Sequence, residues 1–290
     1  MHQAGFVNIF GKPNAGKSTL LNALVNEKLS IVSPKVQTTR HRIMGILNEP
    51  GYQIVFSDTP GLMEPRYKLQ DRMMGMVKKA LEDADLGLLV VDARDKPADN
   101  LPVFSGLGLK SPAILVMNKM DLSGAENLSQ VREEYKAWAF VREVVAVSAL
   151  KKLNLEQLLA VILSLLPEGE NFFPEGELSD RPVRFFISEL IQEQIFDLFR
   201  EEIPYHTAVL VTDYQEKQTL VKIAAQIVVQ RETQKAILLG EKGKAIRELG
   251  IRSRIEMEKF LGRKIFLELF VKVRPGWRDN DLLLREYGYA

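Results

Sequence analysis

Through the first 170 residues, short apolar runs alternate with amphipathic stretches. The runs cover residues 6–10, 52–56, 86–91, 113–117 and 144–147. Each has the length of a strand and little polar content on either face, as in a sheet covered on both sides. Between them, residues 20–25, 69–81, 128–139 and 155–166 space their apolar side chains as helices do. Strands alternating with helices predict an α/β domain with a mostly parallel sheet, in which ligands bind at the carboxyl ends of the strands. A polar stretch with Pro and Gly follows at 167–177, and the order then changes. Residues 182–200 read as a helix, 207–213 and 219–229 as strands, 232–239 and 244–261 as helices, and 264–273 as a last strand. That α-β-β-α-α-β order predicts a separate α+β domain. The division is therefore 1–170, a linker at 171–181 pinned by Phe172 and Phe173, and 182–290.

Composition narrows the chemistry. The 290 residues hold 39 basic and 38 acidic side chains and 46% hydrophobic residues, an ordinary globular balance that excludes fibrous and disordered classes. With no cysteine, disulfides, thiolate zinc sites, iron–sulfur clusters and thiol catalysis are excluded. Only His2, His41 and His206 occur, too scattered for a zinc cluster. No apolar run reaches the length of a membrane span, and no targeting segment precedes the first strand, so the expected location is the cytoplasm. The neutral total conceals an uneven distribution. Residues 171–230 carry five basic and ten acidic side chains, and residues 231–274 carry twelve and six. The basic zone falls on the two later helices, where it serves either as a solvated face or as an attraction for polyanions.

Four motifs then appear in order, each behind an expected strand. The first is Gly11-Lys12-Pro13-Asn14-Ala15-Gly16-Lys17-Ser18, followed by Thr19 at a helix start. Glycines let the backbone wrap a phosphate closely, and loop amides and the helix N-terminus face the anion. Lys17 suits the β- and γ-phosphates, and the Ser18 hydroxyl suits Mg²⁺. The second is Asp58-Thr59-Pro60-Gly61, where Asp58 can hold Mg²⁺ through its water shell and the Gly61 amide can touch a γ-phosphate. The third is Asn118-Lys119-Met120-Asp121. Asp121 can accept from N1–H and the exocyclic amine of guanine, and adenine would leave that carboxylate unpaired. Lys119 can lay its stem on the base while Asn118 braces the loop. The fourth, Ser148-Ala149-Leu150, is small enough to bring an amide to guanine O6.

Together these motifs resemble those of the translation-factor-like small GTPases, and within them the Era family, over essentially the whole chain. The resemblance implies a first switch over 29–42, with Thr39 rather than Thr38 closing over Mg²⁺ and the γ-phosphate, and a second switch from Asp58 to about Gln70. The catalytic set it implies is Lys17, Thr39, Gly61 and Asn14, with Ser18, Thr39 and Asp58 at the metal. Where Ras-like proteins carry a glutamine to orient water, this chain has Leu62, which cannot hydrogen-bond. Slow unaided hydrolysis is expected, with a potassium ion held by Asn14 as the family's supplement.

In the second domain, Gly240-Glu241-Lys242-Gly243 joins two expected helices, and the element order resembles a type II KH domain. The tight turn suits clamping of a single-stranded RNA backbone, with Lys244, Ile246, Arg247, Leu249, Arg252 and Arg254 adding groove and charge. Glu241 departs from the tightest phosphate approach. The fold class expected is therefore a P-loop NTPase domain followed by a KH type II domain. The family resemblance implies a GTP switch that binds 16S ribosomal RNA near its 3′ end and assists 30S subunit maturation, as a monomer, with peripheral association at the inner membrane. The rivals are an ATP-dependent P-loop enzyme and a nucleotide-gated protein-binding module. The aromatics Phe185, Phe186, Phe196, Phe199 and Trp277 are assigned to packing, His206 to a loop, and His41 to a solvated strand edge.

Overall fold

A computed structural model describes residues 2–289. The chain divides into two compact units: residues up to Glu64 with Met73–Asp180, and Pro65–Arg72 with residues from Arg181 onward.

The first unit is a six-stranded sheet in the order β2-β3-β1-β4-β5-β6. Its strands are β1 (Gln3–Phe10), β2 (Ile43–Glu49), β3 (Tyr52–Asp58), β4 (Leu86–Asp92), β5 (Ala113–Asn118) and β6 (Val141–Ala146). β1, β3, β4, β5 and β6 run parallel, which follows from their apolar character on both faces. The helices are α1 (Lys17–Val25), α2 (Lys68–Glu82), α3 (Pro97–Ser105), α4 (Ala125–Lys136) and α5 (Leu155–Leu165). One side of the sheet packs Phe10, Val77, Leu89, Leu115, Tyr135 and Val144 into a buried cluster.

Two elements of this unit were not expected from the sequence. β2 is an antiparallel edge strand paired with β3 from Ile43↔Asp58 to Glu49↔Tyr52. Its apolar pattern is broken by Gly45 and ends in Asn48 and Glu49, so only pairing across the turn at Pro50-Gly51 reveals it. α3 contains Pro97 and Pro102, and lacks the continuous periodicity that marks α2.

The expected linker is laid along the first unit. Glu168 bridges Gln3, and the Phe172 ring lies 4.7 Å from that of Phe6. The Gln53 side chain accepts from the Phe172 and Phe173 amides and donates to the Phe173 carbonyl. Further on, the Ile46 amide donates to the Leu178 carbonyl at 2.9 Å, and the Ser179 hydroxyl donates to the Met44 carbonyl. The exposed edge of β2 is thus partly covered, as a sheet edge requires.

The second unit is a three-stranded sheet, β7-β8-β9, covering Ala208–Glu216, Val221–Val229 and Ile265–Val273. β7 and β8 are antiparallel, and β8 and β9 are parallel. With α6 (Val183–Leu198), α7 (Glu232–Leu239) and α8 (Lys244–Leu261) the order is the expected α-β-β-α-α-β. Alternate residues of the strands, such as Ile223, Ala225, Ile227 and Ile265, meet Ile187, Ile191, Leu238, Leu249 and Met257 in one core. Phe186, Phe196 and Phe199 are buried, as assigned. Trp277 is fully buried, donates to the His206 carbonyl, and packs with Tyr287 and Tyr289 beside the last helix, α9 (Asp281–Glu286). His206 sits in a 3-10 turn, its ring bonded to Gln234. Segment 65–72 joins this unit, with Lys68 and Arg72 paired to Asp281 and Arg278 stacked over Tyr67.

Candidate functional site

The carboxyl ends of β1, β3, β4 and β5 open onto a cavity of about 750 Å³. The loop after β1 forms one wall. Gly16 has φ 92°, and a Cβ there would lie 2.3 Å from the Asn118 amide nitrogen. At Gly11 a Cβ would lie 2.4 Å from the Val90 carbonyl oxygen, so both positions exclude any side chain. Asn14, at φ 62°, completes the loop. The chain then enters α1, whose first turn supplies Lys17, Ser18 and Thr19, with no acidic residue there to compete with an anion.

Lys17 is buried, and its ammonium donates to the Gly11 and Lys12 carbonyls at 3.0 Å each. Burial lowers its pKa to about 8, against the opposing pull of Asp58. Asp58 ends β3 at zero exposure. Burial raises its pKa, against the Lys17 charge and neighbouring hydroxyls. The Ser18 hydroxyl donates to Asp58 at 2.7 Å, the Thr39 hydroxyl at 3.2 Å, and the two hydroxyl oxygens are 2.8 Å apart. The second carboxylate oxygen of Asp58 is buried with no hydrogen-bond partner. A buried carboxylate with an orphaned oxygen, beside two hydroxyls, is a hard oxygen set that fits Mg²⁺. Among the described residues no group of three His, Asp or Glu side chains competes for that role.

Thr39, not Thr38, occupies this cluster; Thr38 lines the cavity. The first switch is held at both ends. The Asn22 side chain of α1 accepts from the Leu29 and Ser30 amides. At the far end Arg42 binds Ser57 and forms a bidentate pair with Asp83. His41 is buried at 8% exposure in this anchored segment, not on a solvated edge as expected, because the chain turns inward to enter β2. The Asn14 amide nitrogen donates to the Pro34 carbonyl of the switch at 2.9 Å.

After β3, Thr59 donates to the Ile9 carbonyl, and Pro60 and Gly61 are buried. Gly61 stands so close to Pro13 that a Cβ would meet three of its atoms at 2.9–3.0 Å. Leu62 donates its amide to the Gly11 carbonyl while its side chain packs on the core, so no hydrogen-bonding side chain takes that position.

The opposite wall is the loop after β5. Asn118 donates to the Ala15 carbonyl and accepts from the Lys119 and Ala149 amides, joining three motifs through one side chain. Lys119, at φ 62°, donates to the Asn14 carbonyl at 2.7 Å. Asp121 is exposed at the cavity. Ser148 and Ala149 are buried, the Ser148 hydroxyl accepting from the Lys151 amide, and Leu150 is 73% exposed at the rim. Asp92 and Arg94 also line the cavity and were not in the motif set. Their signal was a carboxylate at the end of a strand, the placement already noticed for Asp58.

In the second unit, Gly240 (φ 68°) ends α7 and Gly243 (φ 76°) caps α8. Lys242 between them is left-handed at φ 50°. A Cβ at Gly240 would lie 2.6 Å from that of Ala245, whereas Gly243 faces open space. Glu241, Lys242, Lys244 and Arg247 are exposed, and Ile246 is half-buried. Leu249 corrects one expectation: it is fully buried in the core under α8 and cannot line a groove. Arg252 is paired with Glu248, and Arg254 is exposed.

Comparison with known proteins agrees with this geometry. The family described as 50S ribosome-binding GTPase matches residues 6–119, and the KH domain family matches residues 202–278. The GTPase Era of Geotalea daltonii is 42% identical over 289 residues, covering 99% of this chain and 97% of its own. The chain belongs to the Era family of GTPases. A chloroplastic ERA-like GTPase of Oryza sativa subsp. japonica is also 42% identical, over all of this chain and 70% of its own. Among solved structures, Era in complex with MgGDPNP and nucleotides 1506–1542 of 16S ribosomal RNA aligns with a TM-score of 0.95 at 41% identity over both whole chains. An Aquifex aeolicus Era variant bound to GDP and AlF4⁻ aligns at 0.94 and 41%, over 99% of each chain.

Proposed function

We propose that this member of the Era family is a GTP-hydrolysing switch that binds single-stranded RNA at the 3′ end of 16S ribosomal RNA and assists maturation of the 30S subunit. The observation that carries the nucleotide half is the Ser18–Thr39–Asp58 cluster, which shares one cavity with the Asn118–Asp121 loop. We assign residues 1–170 to the GTPase domain, 171–181 to the linker and 182–290 to the KH domain with its C-terminal extension.

The amides of residues 11–19 bind the phosphates and Lys17 neutralises them. Asp121 selects guanine, Lys119 walls the base, and Ala149 and Leu150 face its O6. Ser18, Thr39 and Asp58 hold Mg²⁺, which when bound neutralises charge on the β- and γ-phosphates. Gly61 reports the γ-phosphate through its amide. The second switch begins at Asp58 in the first unit, and its end, from Pro65 to about Gln70, belongs to the second. Loss of the γ-phosphate therefore reaches the RNA-binding unit along the chain itself, and by linkage RNA biases nucleotide affinity.

With Leu62 in place of a polar side chain, the unaided rate is slow. Asn14 meets the first switch, its side-chain amide donating to the Pro34 carbonyl, and a potassium site there would need that amide to turn its oxygen toward the ion. Equal GTPase rates in potassium and sodium would remove that part. Gly240, Glu241, Lys242, Gly243, Lys244, Ile246 and Arg247 are the RNA contacts.

The reading is tested by displacing labelled GTP with ATP and by filter binding to the 16S 3′ segment at several salt concentrations. Displacement by ATP, or weak RNA binding with a flat salt response, overturns the corresponding half. No helix among the described residues is long and apolar enough to cross a membrane. We place the protein in the cytoplasm with peripheral inner-membrane association, checked by fractionation.

A further inference from the structure

We infer that Asp92 is a positioning residue for nucleotide binding, holding the Lys119 ammonium where its stem can wall the base. The inference rests on the assignment of Lys119 to the guanine loop. Asp92 ends β4 directly opposite Asn118 in the register with β5, and the Ala93 amide donates to the Asn118 carbonyl at 2.8 Å. The sheet itself therefore delivers a carboxylate to the residue after Asn118. Asp92 Oδ2 lies 2.9 Å from Lys119 Nζ, which also donates to the Asn14 carbonyl at 2.7 Å. The ammonium is clamped between the phosphate loop and β4.

Arg94 secures the clamp from behind. Its Nε donates to Asp92 Oδ1 at 2.9 Å, its Nη2 to Oδ2 at 2.7 Å, and its amide to Oδ1 at 3.0 Å. The Asp92 side chain is 12% exposed, against 53% for Arg94. Arg94, and after it Lys119, hold the Asp92 carboxyl below the usual carboxylate range, which favours the charged form facing Lys119. A turn at the end of β4 would need only the Arg94 contacts. The bond to Lys119 adds something else: a flexible four-carbon stem is ordered before the base arrives. Pre-ordering lowers the entropy lost on binding and so lengthens nucleotide residence, while the γ-phosphate groups stand elsewhere.

The test measures release of a fluorescent GDP from the full chain with Mg²⁺, in the native protein, Asp92→Asn, Lys119→Met and the double variant. Asp92→Asn should release GDP about tenfold faster and add less than about twofold in the Lys119→Met background, since contacting residues couple. Its KM for GTP should rise about tenfold with kcat changed less than about twofold, and Asp92→Glu should recover part of the loss. Equal acceleration on both backgrounds would mean that Asp92 only stabilises its turn, and would overturn the inference. An effect of Lys119→Met with none from Asp92→Asn would also overturn it, leaving the guanine loop intact. No effect of Lys119→Met would bring down the loop assignment itself.

Discussion

The two glycine loops of this protein solve opposite problems. In the phosphate loop, any added Cβ strikes backbone or the side chains of other motifs: the Val90 carbonyl at Gly11 and Asn118 at Gly16. Gly61 is closed off in the same way by Pro13. The cradle is packed from outside, and in the proposed function the space inside takes the phosphates. In the Gly-x-x-Gly loop of the second unit Gly240 is crowded, whereas Gly243 looks into open space and is needed for its φ of 76° alone. That loop is flanked by exposed Lys242, Lys244 and Arg247. A small ligand calls for a closed, pre-bonded cage. A polymer calls for a shaped backbone on an open basic surface, where affinity comes mainly from charge.

The largest break in this comparison should come from Lys17→Ala. Removing a buried cation from phosphate costs about 4 kcal/mol, so calorimetry should show GTP affinity falling roughly a thousandfold while RNA binding measured without nucleotide persists. Next, Asp121→Asn should lower GTP affinity about a hundredfold and bring the affinity for xanthosine triphosphate above it, because the amide can donate to the xanthine oxygen. Gly243→Asp strains a left-handed position by about 1 kcal/mol and adds an acid beside the RNA backbone, so RNA affinity should drop about tenfold with GTP affinity unchanged. Equal damage to both activities would mean that the units do not divide the work as described.

Smaller effects sharpen the comparison. Burial lowers the Lys17 pKa to about 8 before nucleotide arrives, and phosphate requires the protonated form. Below that pH the GTP affinity should be flat; above it, binding must take up a proton, and Kd should rise toward tenfold per pH unit. Fluorescence titration between about pH 7 and 9 follows this, and an unchanged Kd would place the Lys17 pKa in the free protein well above the range. The RNA loop should lack that pH response but show a salt response. Replacing Lys242 and Lys244 by Ala should reduce the slope of log K against log salt by about 1.4, at roughly 0.7 per phosphate contact.

Much of this was legible along the chain because it is local. A strand, a Gly-rich turn and a helix start are neighbours in sequence, so the phosphate loop and the Asn118–Asp121 loop could be named from spacing. The second unit could be read as well, since its period changes from helix to strand within short, clean segments. β2 was not legible: Gly45 interrupts it, and its partner β3 defines it. His41 looked solvated because Arg40 and Arg42 flank it, yet the bonds of Arg42 to Ser57 and Asp83 draw the segment inward. Leu249 looked like groove lining because it is an apolar side chain just after the Gly-x-x-Gly turn, but it falls on the core face of α8.

Residue order alone determined the two kinds of fold and the order of the four nucleotide motifs, since hydrophobic period and turn chemistry act over a few residues. Only the folded arrangement decided which threonine meets Asp58, that Asn118 ties three loops together, and that Asp92 reaches Lys119. Those contacts join residues 19 to 103 positions apart, and distances of a few ångströms between such partners come from sheet register and packing, which no local pattern encodes.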